Sequence, residues 1–372
     1  MNHEININNS IENETSRIPE GSKVVVGLSG GVDSSVTAKL LMDKGYTVIG
    51  VTIVMCEFND GGVSDAKEVA KALNIEHHVI DARDVFKQGI MDYFCNEYYE
   101  GRTPNPCIRC NELIKWAKML EVADSIGAQY IATGHYAKIL RLPDGRYSVA
   151  NSATATKDQT YVLYRLGQDM LQRTIMPLGD YDKETVRNMA SEADLPVAAK
   201  KDSQDICFIP DKDYAAFLSR NFDENKLPGR GNFLDEQGNI IGTHKGYTHY
   251  TIGQRKGLEI AAGHRVFVKE IRPASNEVVI SDEDVFSINL SANDIHFMGM
   301  EEDGNAEFRG FAKIRYAHKG QWCNIRTVND GTDKRIDITF DEPVRAVTPG
   351  QAVVIYNDDS DDKYILMGGT II

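Results

Sequence analysis

From Ser22 to about Thr133 short apolar runs alternate with helical periodicity, a pattern that predicts a doubly wound parallel sheet. Lys23 to Leu28, Thr47 to Val54, Glu76 to Ile80 and Gln129 to Thr133 read as its strands. Between them Ala66, Val69, Ala70 and Leu73 recur at helical spacing after a Ser64 cap, and Leu113, Trp116, Ala117 and Leu120 do so after Asn111. The same spacing continues through Val186, Met189, Ala190 and Ala193, then through Tyr214, Phe217 and Leu218 after Asp211. From Gly229 onward, turn signals at Asp235 to Gly238, Asp330-Gly331 and Pro349-Gly350 separate β-rich runs, so the last third reads as all-β. One domain boundary falls near residues 210–228 and a weaker one near 280.

Composition narrows the setting. With 42% hydrophobic and 26% charged residues in 372, the chain reads as a soluble globular protein with no apolar run long enough to cross a bilayer. The polar first twenty residues lack the apolar core of a secretory signal and read as a disordered tail. Six cysteines without framework spacing point to a reducing, cytoplasmic setting. A net charge of -14 argues against nucleic acid as an average, but Thr243 to Arg272 carries six Lys/Arg against two acids. That stretch is either a local basic surface or a solvated charged face.

The strongest chemical signal is the junction of an apolar strand, Val24 to Leu28, with Ser29-Gly30-Gly31-Val32-Asp33-Ser34-Ser35 and a following helix. A glycine-rich strand-to-helix turn aims backbone N–H groups and a helix N-terminus at one spot, which suits an anion. No GK[ST] follows, so it is not a Walker A loop. Asp33 is out of place beside an anion unless a divalent cation or a hydroxyl network satisfies it. Ile53, ending the second strand, and Gly134 and His135, ending another, point to the same crevice at the strand carboxyl ends.

Cys107-Ile108-Arg109-Cys110 lies just before the helix expected to begin at Asn111. The helix N-terminus and Arg109 would favour a thiolate, which makes Cys110 a candidate nucleophile. Half of a zinc or iron–sulfur site and a thioredoxin-like redox pair are the competing readings. Cys207 alone reads as a buried strand cysteine, but beside an anion loop two remote thiols suggest sulfur transfer. Cys56, Cys95 and Cys323 read as structural.

SGGVDSS resembles the PP-loop of the ATP pyrophosphatase superfamily. Together with GRTPNPCIRCN, ATGHYA, KDQTYVL, KKDSQDICFI and HKGYTHYTIGQRKGL, it closely resembles the bacterial tRNA-specific 2-thiouridylase family over nearly the whole chain. That resemblance implies a disordered tail over 1–20, a PP-loop ATP-binding catalytic domain over 21–212, a small mixed or β middle tRNA-binding domain over 213–280 and a C-terminal β-barrel over 281–372. It also implies ATP-dependent 2-thiolation of a wobble uridine in the tRNAs for Lys, Glu and Gln, in the cytoplasm, with sulfur supplied by a cysteine desulfurase or a relay protein.

Residue by residue, the resemblance assigns ATP to Gly27, Leu28, Ser29, Gly30, Gly31, Val32, Asp33, Ser34, Ile53 and Gly134. It assigns the target base to Asn105, Pro106 and Cys107, the nucleophile to Cys110, and the persulfide to Cys207, with a transient Cys110–Cys207 disulfide. The tRNA contacts it assigns are His135, Lys157, Asp158, Gln159, Arg315, Tyr316 and Gln351. Mg²⁺ is expected with the nucleotide, and an iron–sulfur cluster or metal on Cys107, Cys110 and Cys207 stays open. Some relatives carry Asp at the Cys107 position and glycine at the Asp205 position, so proton transfer at the base and the loop bearing Cys207 need their own account here. Other PP-loop ligases and a non-catalytic ATP-gated tRNA-binding protein are the alternative readings.

Overall fold

The computed structural model describes residues 18–57, 60–154, 157–201, 206–221, 227–260, 262–329, 331, 334–357 and 363–372. Most of the expected tail, Asp205, Asp330 and the acidic run from Asp358 to Asp362 lie outside these residues.

In chain order the first elements are β1 (Lys23–Gly27), α1 (Val32–Asp43), β2 (Thr47–Val54), α2 (Asp60–Leu73) and β3 (Glu76–Asp81). Next come α3 (Arg83–Phe86), a π-helical turn Lys87–Met91 and α4 (Asp92–Tyr99). A long helix then combines α5 (Pro106–Cys110), a π-helical stretch Asn111–Trp116 and α6 (Ala117–Ser125). It is followed by β4 (Tyr130–Ala132), β5 (Ala137–Arg141), β6 (Tyr147–Asn151), α7 (Gln168–Leu171), β7 (Thr174–Ile175) and α8 (Lys183–Glu192).

The first sheet runs in the order β3-β2-β1-β4-β7 with every pairing parallel. Val24, Val25 and Val26 are wholly buried, as expected for a central strand covered on both faces. Strand order reverses between β1 and β4, and in such sheets the ligand crevice opens at the carboxyl ends beside that switch point.

Three helix starts differ from the sequence expectation. Helix α2 begins at Asp60, so Ser64 lies inside it. Helix α9 (Tyr214–Asn221) is capped by Asp213, whose Oδ1 accepts the Ala216 N–H at 2.9 Å, while Asp211 sits one step outside. The helix carrying the paired cysteines starts at Pro106, with Asn105 Oδ1 accepting the Cys107 N–H at 3.2 Å. Asn111 is instead buried in mid-helix and donates to the Val162 carbonyl at 2.9 Å. The wider π turn rotates the following faces, so Leu113, expected inside, is exposed while Ile114 is buried.

Beyond α9, β8 (Gly231–Leu234), β9 (Ile240–His244), β10 (Phe267–Arg272) and β11 (Glu277–Ser281) make a sheet in the order β10-β11-β8-β9 over its own small core. The last strands are β12 (Phe286–Phe297), β13 (Glu307–Lys313), β14 (Gln321–Asn329), β15 (Lys334–Arg345), β16 (Ala352–Tyr356) and β17 (Ile365–Ile371). They close a barrel in the order β12-β15-β14-β13-β16-β17, which removes free sheet edges.

The barrel shares a core with the first domain. Ala352, Val354, Tyr356 and Ile365 pack with Tyr161, Leu163 and Tyr164. The buried hydroxyls find partners across this seam, Tyr161 Oη donating to the Ala352 carbonyl at 2.8 Å and Ser148 Oγ to that of Ile365 at 2.6 Å. Among the described residues no helix is long and apolar enough to cross a membrane.

Candidate active site

The anion loop leaves β1 at Gly27 and enters α1 at Val32. Gly30 has φ +71°, and a Cβ there would drive into the Gly62 carbonyl, so only glycine suits the turn. Serines brace the loop from within. Ser34 Oγ accepts the Ser29 N–H at 3.2 Å and donates to the Gly31 carbonyl at 3.1 Å, and Ser35 Oγ donates to the same carbonyl at 2.8 Å. The N–H groups of the first turn of α1, which no helical carbonyl can reach, open toward the crevice. Leu28 is tied to β2, its N–H donating to the Val51 carbonyl and its carbonyl accepting Thr52 Oγ1 at 2.7 Å. Half-buried Ile53 is the last residue but one of that strand.

Asp33 is satisfied without a metal. Lys183 Nζ lies 2.7 and 2.9 Å from its two oxygens, and Tyr136 Oη donates to Oδ1 at 2.8 Å. Lys200 Nζ donates to the Gly30 carbonyl at 2.8 Å and pairs with Asp65, tethering the loop to α2. Neither lysine carries a local sequence signal, because each meets the loop from far along the chain. After β4, Gly134 presses against the loop: a Cβ there would lie 2.9 Å from Asp33 C and Ser34 N.

His135 lies next along the chain. Its Nδ1 meets Thr133 Oγ1 at 3.0 Å and its ring lies tilted against Trp116, with centroids 5.3 Å apart. Burial first, and then the Lys115 charge, press His135 down to about 3, so the imidazole is neutral. Lys115 in turn faces Cys110, Cys107 and Cys207, which the chain brings into one electrostatic neighbourhood.

The thiols differ from expectation. Burial pushes Cys110 up to about 11 and Cys207 up to about 12, and raises Cys107 as well; the opposing positive charge on all three is Lys115. Arg109 is committed elsewhere, its guanidinium lying over the Tyr93 ring at 4.1 Å. With the helix starting at Pro106, Cys110 ends its first turn and a half rather than preceding it. Cys110 is buried and donates weakly to Met55 Sδ at 3.7 Å. Cys207 is exposed as a residue, though enough protein surrounds its sulfur to penalise the anion. Cys56 does have a context, since it neighbours both Cys110 and Cys207. None of the six cysteines is joined in a disulfide.

The segment before the paired cysteines is gripped by both other domains. The Thr103 N–H donates to the Pro349 carbonyl at 2.8 Å, the Thr103 carbonyl accepts Gln351 Nε2 at 2.7 Å, and its hydroxyl meets Thr251 Oγ1 at 3.3 Å. Asn105 and Pro106 follow directly. Tyr316 is half exposed, and its phenol feels burial first, then Asp158 and Cys107, which sets it at the mouth of the thiol site. Asp158 is buried, accepting Thr160 Oγ1 at 2.7 Å and Lys313 Nζ at 3.3 Å. Gln159 Oε1 accepts the Tyr136 N–H at 2.8 Å, Lys157 is half-buried, and Arg315 Nη1 donates to the Arg345 carbonyl at 2.7 Å.

The basic stretch divides. Lys245 pairs with Glu259, Lys269 with Glu236 and Arg272 with Glu270. Exposed Arg255 and Lys256, with Arg345, line an open groove of about 560 Å³ together with Tyr214, Thr251 and Gln254.

An anion loop at the switch point of a parallel α/β sheet defines a PP-loop nucleotide-binding protein. Three family models match in sequence: a tRNA methyl transferase HUP domain over residues 22–211, a tRNA methyl transferase PRC-barrel domain over 216–282, and an aminomethyltransferase beta-barrel domain over 287–372. The tRNA-specific 2-thiouridylase MnmA of Lachnoclostridium phytofermentans is 51% identical, covering 94% of this chain and 99% of that protein. Its namesake from Carboxydothermus hydrogenoformans is 46% identical over 94% and 97%. A solved 4-thiouridine synthetase–RNA complex with bound ATP overlaps with a TM-score of 0.36 at 17% identity, covering 54% of this chain and 50% of that one, too slight a likeness to carry an argument. The chain belongs to the tRNA-specific 2-thiouridylase family.

Proposed function

We propose that this chain thiolates carbon 2 of the wobble uridine, position 34, in the tRNAs for Lys, Glu and Gln. Gly134-His135 carries the reading: Gly134 packs on the anion loop and neutral His135 neighbours Lys115, the cation that also opposes the three thiols, so adenylation and sulfur delivery are read as sharing one crevice.

ATP would lie with its phosphates on Ser29 to Ser34 and its adenine near Ile53, on a loop shaped by the close packing of α2 against Gly30 and of Gly134 against Asp33 and Ser34. The uridine 2-oxygen attacks the α-phosphorus and pyrophosphate leaves, which makes the oxygen a leaving group. Cys207, the exposed thiol, takes a sulfane sulfur from a persulfide donor protein such as a cysteine desulfurase or relay protein. That sulfur attacks carbon 2 and AMP departs. The Cys110 thiolate then attacks Cys207 Sγ, the sulfur stays on the base, and a Cys110–Cys207 disulfide remains for a cellular dithiol to reopen.

Asn105, Pro106 and Cys107 would face the flipped base. Cys107 is an inefficient proton carrier in this reading, because burial raises its thiol further. Arg315 and Tyr316 would meet the anticodon at the mouth, with Lys157 and His135 beside them, while Asp158, Gln159 and Gln351 act by holding that mouth in shape.

Among the described residues no carboxylate cluster is built for Mg²⁺, Asp33 being taken by Lys183 and Tyr136, and Mg²⁺ would rest on the nucleotide phosphates. An iron–sulfur cluster or other metal does not fit the donors well: Cys110 is turned to Met55, and no group of three metal-ligating side chains gathers among the described residues.

The test is turnover of the full chain with tRNA, ATP and a persulfide donor. Equal amounts of AMP, pyrophosphate and 2-thiouridine are expected; thiouridine without AMP, or tRNA binding without any product, would overturn the reading. The groove makes a second prediction. Arg255→Glu with Lys256→Glu should weaken tRNA binding and lower the slope of log affinity against log salt by about 2, with ATP affinity unchanged. Filter binding across a salt series checks it.

A further inference from the structure

Lys115 was silent in sequence and is conspicuous in the fold. The π-helical stretch Asn111–Trp116 has a five-residue hydrogen-bond repeat, which brings residue i+5 round toward the face of residue i. Lys115 is the fifth residue after Cys110, so the widened turn brings it toward the Cys110 face. Lys115 is half-buried, with Cys110, Cys107 and Cys207 as ionisable neighbours and neutral His135 as another. Cys56, at the end of β2, is the remaining ionisable neighbour of Cys110 and Cys207.

The other cations of this region have fixed partners. Arg109 lies over Tyr93, and Arg165 pairs with Glu112 at 2.6 Å and Asp294 at 2.7 Å. Lys115 makes no carboxylate ion pair among the described residues. A desolvated ammonium without a fixed counter-ion is costly, and an anion that forms and disappears at the same place offsets that cost.

We propose that Lys115 is the counter-charge that holds relay sulfur in its anionic form, serving the Cys110 thiolate and the Cys207 persulfide in turn. It is a positioning residue for charge, acting through the sulfurs, and its place in catalysis rests on the sulfur-relay reading above. The arrangement offsets part of the desolvation that opposes each thiolate.

The experiment compares Lys115→Met and Lys115→Arg with the parent chain. Iodoacetamide alkylation of Cys110 and Cys207 is followed from pH 6 to 10 by peptide mass spectrometry, beside ATP affinity and thiolation kinetics. Loss of the charge should move the Cys110 profile up by about one pH unit, cutting its alkylation rate near neutrality about tenfold. Thiolation kcat should fall at least as far with KM for tRNA unchanged, and Arg should restore most of both. An unshifted profile in Lys115→Met overturns the proposal, as does an Arg variant that binds ATP normally yet behaves like Met. Should Lys115→Met fail to bind ATP, Lys115→Gln is read in its place by the same criteria. Alkylation needs no tRNA, so a parent chain that makes no thiouridine but shows the shift refutes the reading of function and leaves the charge assignment standing.

Discussion

Cys110→Ser and Cys207→Ser are each expected to lower 2-thiouridine formation at least about a thousandfold, because a hydroxyl can neither carry a sulfane sulfur nor attack a disulfide-level sulfur. The double variant should be no worse than either single one, since the two thiols serve one sequence of steps. Their surroundings predict different partial phenotypes. Cys207 is exposed and open to a donor protein, so Cys207→Ser should lose persulfide loading. Cys110 is buried beside Met55 and Lys115, so Cys110→Ser should load sulfur on Cys207 and then stall. Intact-mass analysis after exposure to a persulfide donor distinguishes these states, and nucleoside mass spectrometry reads the product. Both variants should still bind ATP. Full thiolation in either would rule out the relay.

Gly134→Val is expected to weaken ATP binding by about a hundredfold and to abolish thiolation with it. A Cβ at Gly134 would sit 2.9 Å from Asp33 C and Ser34 N, backbone atoms that open the helix cradling the anion, and backbone cannot rotate away as a side chain can. Overpacking of this kind costs about 1–3 kcal/mol. That is less than the whole stability of an ordinary domain, about 5–15 kcal/mol. The chain should therefore fold with a displaced loop, and the defect should appear in binding. Isothermal titration with ATP, beside thermal unfolding, measures both. Near-normal ATP affinity in Gly134→Val would show that the loop and the β4 end move independently.

Those substitutions probe features of unequal visibility. Glycine and serine in Ser29 to Ser35, after a run of buried valines, announce an anion loop because turn chemistry and strand burial are local properties. The α/β and all-β halves were legible for the same reason, and the PP-loop and thiouridylase blocks named the family. Helix register was less legible. Asn111 looked like a cap and Leu113 like a core residue, but Asn105 caps the helix and the π turn rotates Leu113 outward.

What the sequence determined by itself was the order of elements and the glycine-rich turn between β1 and α1, since each depends on residues a few positions apart. What the tertiary structure alone decided was the electrical state of the site. Asp33 is neutralised by Lys183, 150 positions away, Gly30 is tethered by Lys200, 170 positions away, and the thiols are raised by burial and opposed by Lys115 instead of Arg109. Charge and desolvation depend on which distant groups share a small volume, and no local pattern encodes that.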